Sequence, residues 1–399
     1  MIGRRWSLRG GLAMLLIAVV WASSATGVYL YLAAHRSAAA TPAKKPGQGR
    51  QQKDAPISRL PGTLYLVQDG ALYQLQRGTF ATVLHTPGGA GRWAQPGLGP
   101  HGQGLLVVRR DYGFSDVYSV DVAARSQVQL THNASRVVEL NHWSFYPRAS
   151  ADGGSLYFSY DAKDRLNTFN VVLSIYQMPV GGSLTQAKRW TTPNNHTGGD
   201  LQPVPLASGG LIYTKYSFDE ATSRILGQIW LTPRPGAAGR PLTQAADDCS
   251  QPALSPDGQR LAMICTAARQ LATVEVALFD GAELGPREVL LPGQLAAQPT
   301  WSPDGGELVY LAAQGITGHF QLWMQQVTQL PPPPTPPPPP SPALRATRAT
   351  RAAATPTPTS TPVEGGPAAP TPTQTPLPAP VRLTDDNDFD ATSTIAWGA

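Results

Sequence analysis

The sequence predicts an all-β chain wound into a six-bladed β-propeller, and three observations carry that expectation. A phrase recurs along it, clearest as Gln251-Pro252-Ala253-Leu254-Ser255-Pro256-Asp257-Gly258 and Gln298-Pro299-Thr300-Trp301-Ser302-Pro303-Asp304-Gly305. Weaker copies begin at Gln95-Pro96, Tyr146-Pro147 and Gln202-Pro203, and a degraded sixth closes the chain. The motif prolines Pro96, Pro147, Pro203, Pro252 and Pro299 are 51, 56, 49 and 47 residues apart. At that period each copy is one supersecondary unit that must stack on its neighbours to bury its apolar face. Thirdly, 39 glycines and 40 prolines in 399 residues suit many short strands joined by tight turns.

The chain opens with a targeting segment. Arg4, Arg5 and Arg9 precede an uncharged run from Gly10 to Ala34, long enough to cross a hydrocarbon core as a helix. Positive charge ahead of the run places the N-terminus in the cytoplasm. Residues 1–36 are therefore expected to be a cytoplasmic basic tip and a transmembrane signal-anchor. The protein would then be a single-pass protein of the cell membrane with the remainder extracytoplasmic. A cleaved signal peptide is the other reading, with the small residues Ser37 to Ala40 at the cut, although its apolar core is usually only about 7–15 residues. Residues 37–61 read as a polar, flexible tether.

Residues 62–330 should hold most of the six blades. Each repeat begins with a Pro-containing strand, A, then a Pro-Asp-Gly-type turn and an apolar strand, B, such as Arg260–Ile264 or Glu307–Leu311. Strand C carries an aromatic beside an apolar residue, as in Leu72-Tyr73, Val117-Tyr118, Ile175-Tyr176, Ile229-Trp230 and Leu322-Trp323. Strand D ends on a Leu-Thr step: Leu130-Thr131, Leu242-Thr243 and Leu383-Thr384. Four antiparallel strands per repeat make a propeller blade. Residues 331–380 are proline- and threonine-rich and suit polyproline II rather than a packed core. Removing them restores a normal spacing to the last repeat, so they read as a disordered insertion between strands C and D of one blade. Residues 381–399 complete the ring. They supply a final strand A, which should join Thr63–Val67 and Ala71–Leu75 in a closing blade and leave no open sheet edge.

The phrase Pro-x-Trp-Ser-Pro-Asp-Gly followed by an apolar strand resembles the TolB-type, WD40-like β-propeller repeat. The resemblance spans residues 62–330 and 381–399 and is strongest at 251–265 and 298–311. Gly99-Pro100-His101-Gly102 and Ala207-Ser208-Gly209-Gly210 depart from its turn. It implies a six-bladed propeller outside the cytoplasm that often acts as a docking surface, and it names no ligand.

Cys249 and Cys265 stand eight residues on either side of Asp257. A hairpin about that turn sets them opposite one another, and in an oxidising compartment such a pair forms a disulfide. Lysines and arginines are scattered, with a net charge of +5, so no nucleic-acid footprint is present. In the strand order A to D, the D–A and B–C connections open on one face. That face collects Trp93, His132, His142, Trp143, His196, Asp200 and His319 as a candidate binding surface. Connectivity turns it away from the tether, which enters at a strand B. No histidine pair there has ligand spacing, and solvated loops gather such residues without any ligand. Asp386, Asp388 and Asp390 are alternating carboxylates that suit a hard cation such as Ca²⁺, but they lack the glycine and distal glutamate of the common calcium loop. No cofactor is therefore assigned, with Ca²⁺ or a transition metal as the weak alternative. Asn133-Ala134-Ser135 and Asn195-His196-Thr197 match the glycosylation pattern.

No Gly-x-Ser-x-Gly elbow and no His-Glu-x-x-His occurs. The expected function is a non-catalytic, membrane-tethered binding or scaffold module for a protein partner or a cell-envelope polymer. The rival is a propeller enzyme, a metal-assisted polysaccharide lyase or a hydrolase, that uses the histidine- and aspartate-rich face.

Overall fold

The computed structural model describes residues 43–47, 56–163, 171–267, 271–291, 295–313, 315, 318–327 and 378–399. The expected anchor at 1–36, most of the tether and residues 331–377 of the insertion lie outside them. Among the described residues no helix is long and apolar enough to cross a membrane.

Among the described residues, twenty-four strands form six four-stranded antiparallel sheets. In chain order they begin β1 (Thr63–Gln68), β2 (Ala71–Gln76), β3 (Thr79–Leu84), β4 (Arg92–Leu98), β5 (Leu105–Arg110), β6 (Ser115–Asp121), β7 (Ser126–Gln129) and β8 (Ser144–Ala149). Next come β9 (Ser155–Tyr160), β10 (Ser174–Pro179), β11 (Lys188–Arg189), β12 (Asp200–Pro205), β13 (Leu211–Asp219), β14 (Arg224–Thr232), β15 (Arg240–Pro241) and β16 (Cys249–Leu254). The last are β17 (Arg260–Cys265), β18 (Thr273–Phe279), β19 (Leu284–Leu291), β20 (Leu295–Trp301), β21 (Glu307–Ala313), β22 (Phe320–Gln326), β23 (Val381–Arg382) and β24 (Ala396–Gly398). Five sheets are consecutive quartets, and the sixth has the order β24-β1-β2-β3. The all-β, six-bladed expectation holds, including closure by strands from the two ends of the ring.

Burial explains the sequence pattern. A blade is sandwiched between two others, so its B strand is covered on both faces and reads as a continuous apolar run. Leu105–Val108, Leu156–Ser159, Leu261–Cys265 and Leu308–Ala313 are all buried. The outermost D strands β7, β11 and β15 are largely exposed and carry polar side chains. The apolar clusters lie between blades. One joins Ala262, Val274 and Val276 of one blade to Trp301, Leu308 and Tyr310 of the next.

The repeated phrase is a set of backbone devices. In the turn, the Ser302 hydroxyl accepts from Glu307 N (2.9 Å) and donates to Asp304 Oδ1 (2.5 Å), while Gly306 N also donates to that carboxylate (3.0 Å). The Ser302 hydroxyl and the Gly306 N–H hold Asp304 below the usual carboxylate range. Ser255/Asp257 and Ser150/Asp152 repeat the arrangement, and each turn ends on a glycine at positive φ, Gly153, Gly258 and Gly305, where other side chains are strained. The Leu-Thr step is explained too. The hydroxyls of Thr131, Thr191, Thr243 and Thr384 accept from the strand C amides of Val117, Ile175, Ile229 and Leu322 at 2.9–3.0 Å.

In strand A the residue before the motif proline lies at positive φ (Gln95, Tyr146, Gln202, Gln251 and Gln298). Each sits in a β-bulge that shifts the ladder to strand B. The bulges aim these side chains along the ring. Gln95 Oε1 accepts from Tyr146 N (2.9 Å), Gln202 Oε1 from Gln251 N (3.0 Å) and Gln251 Oε1 from Gln298 N (2.6 Å). Gln298 Nε2 donates to Ala391 O (2.9 Å), and Ser393 Oγ accepts from Gln95 N (2.6 Å). The belt runs around the central channel, with a serine in place of the glutamine at Ser393, and among the described residues no such side-chain link joins β8 to β12, where Tyr146 brings a phenol in place of a carboxamide.

Cys249 and Cys265 are directly opposite in the register and form a disulfide. β23 pairs with β22 through Trp323–Arg382 and Met324–Val381, so the proline-rich tract intervenes between strands C and D of that blade.

Candidate functional site

The D–A and B–C loops do meet on one face. His319, in a B–C connection, lies 2.8 Å through Nδ1 from Asp388 Oδ2 in a D–A connection. His142 Nδ1 lies 2.8 Å from Asp161 O, and its ring stacks on Tyr160 at 5.4 Å. Trp143 is half-buried, stacked on Phe145 at 5.7 Å with the Arg110 guanidinium 5.9 Å over its ring. His132 and His196 are exposed on the same face.

Two of the expected surface residues are instead core. Trp93 is 4% exposed, packs edge-on against Tyr118 at 5.3 Å and donates its indole N–H to His85 O. Asp200 is 0% exposed, with Lys215 Nζ 3.3 Å from its Oδ1. Burial raises its carboxyl above the ordinary range, and Lys215 and the Thr191 hydroxyl pull it partly back. Asn133 is buried too. Its amide donates to Ser115 O (2.6 Å) and Ser144 Oγ (2.7 Å), whereas Asn195 is exposed.

The acidic run is occupied with local structure. Asp388 Oδ1 accepts from Phe320 N (3.2 Å) besides its contact with His319, and Asp390 Oδ1 accepts from Thr392 N and Oγ1. Asp386 is exposed. Among the described residues no three His, Cys, Asp or Glu side chains converge to hold a metal ion.

One feature of this face had no signal in the repeat. Tyr112 is 93% exposed, and Val137, Val138 and Leu140 are 50–63% exposed. Their loops are joined, since Asn141 Nδ2 donates to Gly113 O (3.2 Å) and Lys163 Nζ to Glu139 O (3.3 Å). Four exposed apolar side chains thus stand on joined loops, one of which leads directly into Trp143.

The opposite, A–B end of the channel holds a cavity of about 570 Å³. Its wall is mainly apolar, with Leu98, Leu254, Trp301, Ile395 and the motif prolines, and it carries Arg148. Arg148 Nη1 donates to Pro147 O (3.0 Å) and more weakly to Pro96 O (3.4 Å). Burial draws its guanidinium down to about 10, with Tyr146 opposing, so it stays charged at neutral pH.

No protein-family model matches the chain, and no curated protein matches it. Among solved structures it is similar to TolB from Acinetobacter baumannii, with 19% identity, 67% of this chain and 61% of that chain covered and a TM-score of 0.50. The fold is a TolB-like β-propeller. Hydrazine synthase from Kuenenia stuttgartiensis is similar at 11% identity, with 71% of this chain and 47% of that one covered and a TM-score of 0.51. This TolB-like chain therefore spans less than two thirds of either. At these identities the likeness is one of fold, and the residues of the two channel ends must carry any argument about function.

Proposed function

We propose that this TolB-like propeller is a membrane-tethered, extracytoplasmic binding module that docks a protein partner on its D–A face without catalysis. The observation that carries the reading is the apolar rim of Tyr112, Val137, Val138 and Leu140 on joined loops, one of which leads into Trp143. Soluble surfaces rarely keep contiguous apolar patches without a partner, and large aromatic side chains are the favoured anchors of interfaces. The histidines of the face support binding over chemistry: His142 stacks on Tyr160, and His319 pairs with a single carboxylate. The uncharged run Gly10–Ala34 behind Arg4, Arg5 and Arg9 supports the membrane tether.

The test places a photo-crosslinking amino acid at Tyr112 of the full-length protein in living cells. A discrete adduct is expected. It should be lost when Val138→Asp and Trp143→Ala are added, and absent when the same probe replaces Val128, another exposed apolar residue, on the outer strand β7. No adduct at Tyr112, or equal adducts at both positions, overturns the reading. Fractionation checks the tether: the full chain should sediment with membranes, and deletion of residues 1–36 should release it.

A further inference from the structure

The second end of the ring carries a separate argument. In a repeat protein the repeated residues do the work common to every blade, so departures from the repeat point to what one blade does alone. The position after the motif proline is Gly97, Val204, Ala253 and Thr300 in four blades, Thr394 after Ser393 in the closing blade, and Arg148 in the sixth. Among the described residues Arg148 is the one place where the wall of this cavity bears a guanidinium, and the same blade breaks the belt at Tyr146.

The surroundings leave this cation open. No carboxylate among the described residues pairs with it. Nη1 is engaged by the carbonyls of Pro147 and Pro96, whereas Nε and Nη2 have no hydrogen-bond partner among the described residues. That free edge of the guanidinium is the fork that accepts a carboxylate in two parallel hydrogen bonds. The site is shaped around the group. A Cβ at Gly97 would come within 2.5 Å of Pro147 O and 2.8 Å of Arg148 Nη1, so a glycine there leaves room for the Pro147 carbonyl and for the guanidinium that it holds. The cavity walls add donors. Gln202 and Gln251 each give their Oε1 to the belt, and their Nε2 groups have no partner among the described residues.

We propose that the A–B end of the central channel is a binding site for a monocarboxylate with an apolar body, held by the free Nε–Nη2 edge of Arg148. Charge decides against a dianion such as phosphate. One guanidinium neutralises one charge, and a second negative charge beside prolines, Leu254 and Trp301 would be desolvated without a partner. Size agrees, since small-ligand sites occupy roughly 300–1,000 Å³ and this cavity is about 570 Å³. The carboxylate has two sources, a free organic acid or the C-terminus of a peptide chain. The site lies at the opposite end of the ring from the apolar rim, so it stands or falls independently of docking there.

The experiment titrates the full-length protein with 3-phenylpropionate and with its neutral amide, 3-phenylpropanamide, read by calorimetry and by ligand-observed NMR. The acid should bind at least ten-fold more tightly than the amide, Arg148→Met should abolish that preference, and Arg148→Lys should retain part of it. If Arg148→Met does not fold, Val204→Glu, which sets a competing carboxylate on the cavity wall, should abolish acid binding instead. Short peptides ending in phenylalanine, with a free or an amidated C-terminus, separate the sources. Tighter binding of the free-ended peptide than of the small acid assigns the site to chain termini, and the reverse order assigns it to small acids. Equal affinity for acid and amide, an Arg148→Met protein that still prefers the acid, or no binding of any probe overturns the proposal.

Discussion

Lys215 follows the buried run Leu211-Ile212-Tyr213-Thr214 and is 8% exposed. Its ammonium donates to Thr192 O (2.8 Å), lies 3.3 Å from Asp200 Oδ1 and 5.5 Å from the Trp230 ring centre. Breaking a buried ion pair from one side costs about 3–5 kcal/mol, because a charge is left buried alone. Lys215→Met is expected to lower stability by that order at pH 7. The carboxyl of Asp200 is already raised in the folded state, so folding takes up a proton near its titration. Without the ammonium that pulls it back, the Asp200 carboxyl rises further in the variant, so the penalty is full above the variant's value, fades as pH falls through it and is gone below the parent's. Thermal melts at pH 7 and pH 5 should show a smaller deficit at the lower pH, and an equal deficit at both would show that the ion pair is not the cause. Asp200 also marks what a sequence shows of a residue. Its place in the repeat assigns it to the D–A end, but its depth depends on Lys215 one strand away, and a lone lysine at the end of that run was the available sign. Trp93 follows the same logic, since an indole at the start of strand A packs against strand C of its own blade. Arg148 was visible as a charge at a position otherwise small or uncharged, but its freedom depends on what the other blades fail to place beside it.

Strands and turns were legible because each rests on a local device that leaves a local trace. The Ser-x-Asp-Gly clamp, the Leu-Thr step and the glycine at positive φ occupy fixed places in the repeat, and Trp190-Thr191 forms the same bond as the clearer copies although its apolar residue differs. The belt left a trace, the Gln-Pro pair, whose reason was not legible: the carboxamide works on the following blade, 47–51 residues away in the links it forms. Gln251 tests the device at its most regular point. Gln251→Leu keeps the bulk but leaves Gln298 N without its acceptor. An unsatisfied buried donor costs about 1–3 kcal/mol, so denaturant unfolding should show a loss in that range. A stability within 0.5 kcal/mol of the parent, roughly the scatter of neutral surface changes, would mean that water replaces the carboxamide and that the belt is not an energetic element.

Ring closure is the property that belongs to the molecule as a whole, and it was readable because the period counts blades and shows which strands are left over at each end. The cavity was not readable. Its wall is drawn from five A strands and the segment before β24, and only closure sets them face to face. β24 pairs with β1 over three residues, Thr63–Gly398, Leu64–Trp397 and Tyr65–Ala396, which alone is a small attachment. The apolar side chains carried with it are not small. Phe389, Ile395 and Trp397 are 2–5% exposed and pack with Leu64, Leu66, Leu311 and Leu322, and the Trp397 indole donates to Pro61 O (2.6 Å). At about 1.5–3 kcal/mol per buried large side chain, the three together contribute on the order of 5–9 kcal/mol, comparable with the whole stability of a typical domain at roughly 5–15 kcal/mol. Deleting residues 388–399 also removes Ser393 from the belt and leaves β1 as an open edge. The full-length protein so truncated should aggregate or lose its cooperative melting transition. Trp397→Ala, which keeps the strand, should still melt cooperatively with a loss of about 3–5 kcal/mol. A truncated protein that melts like the parent would show that the ring holds without its last strand and that the closing blade is stable as three strands.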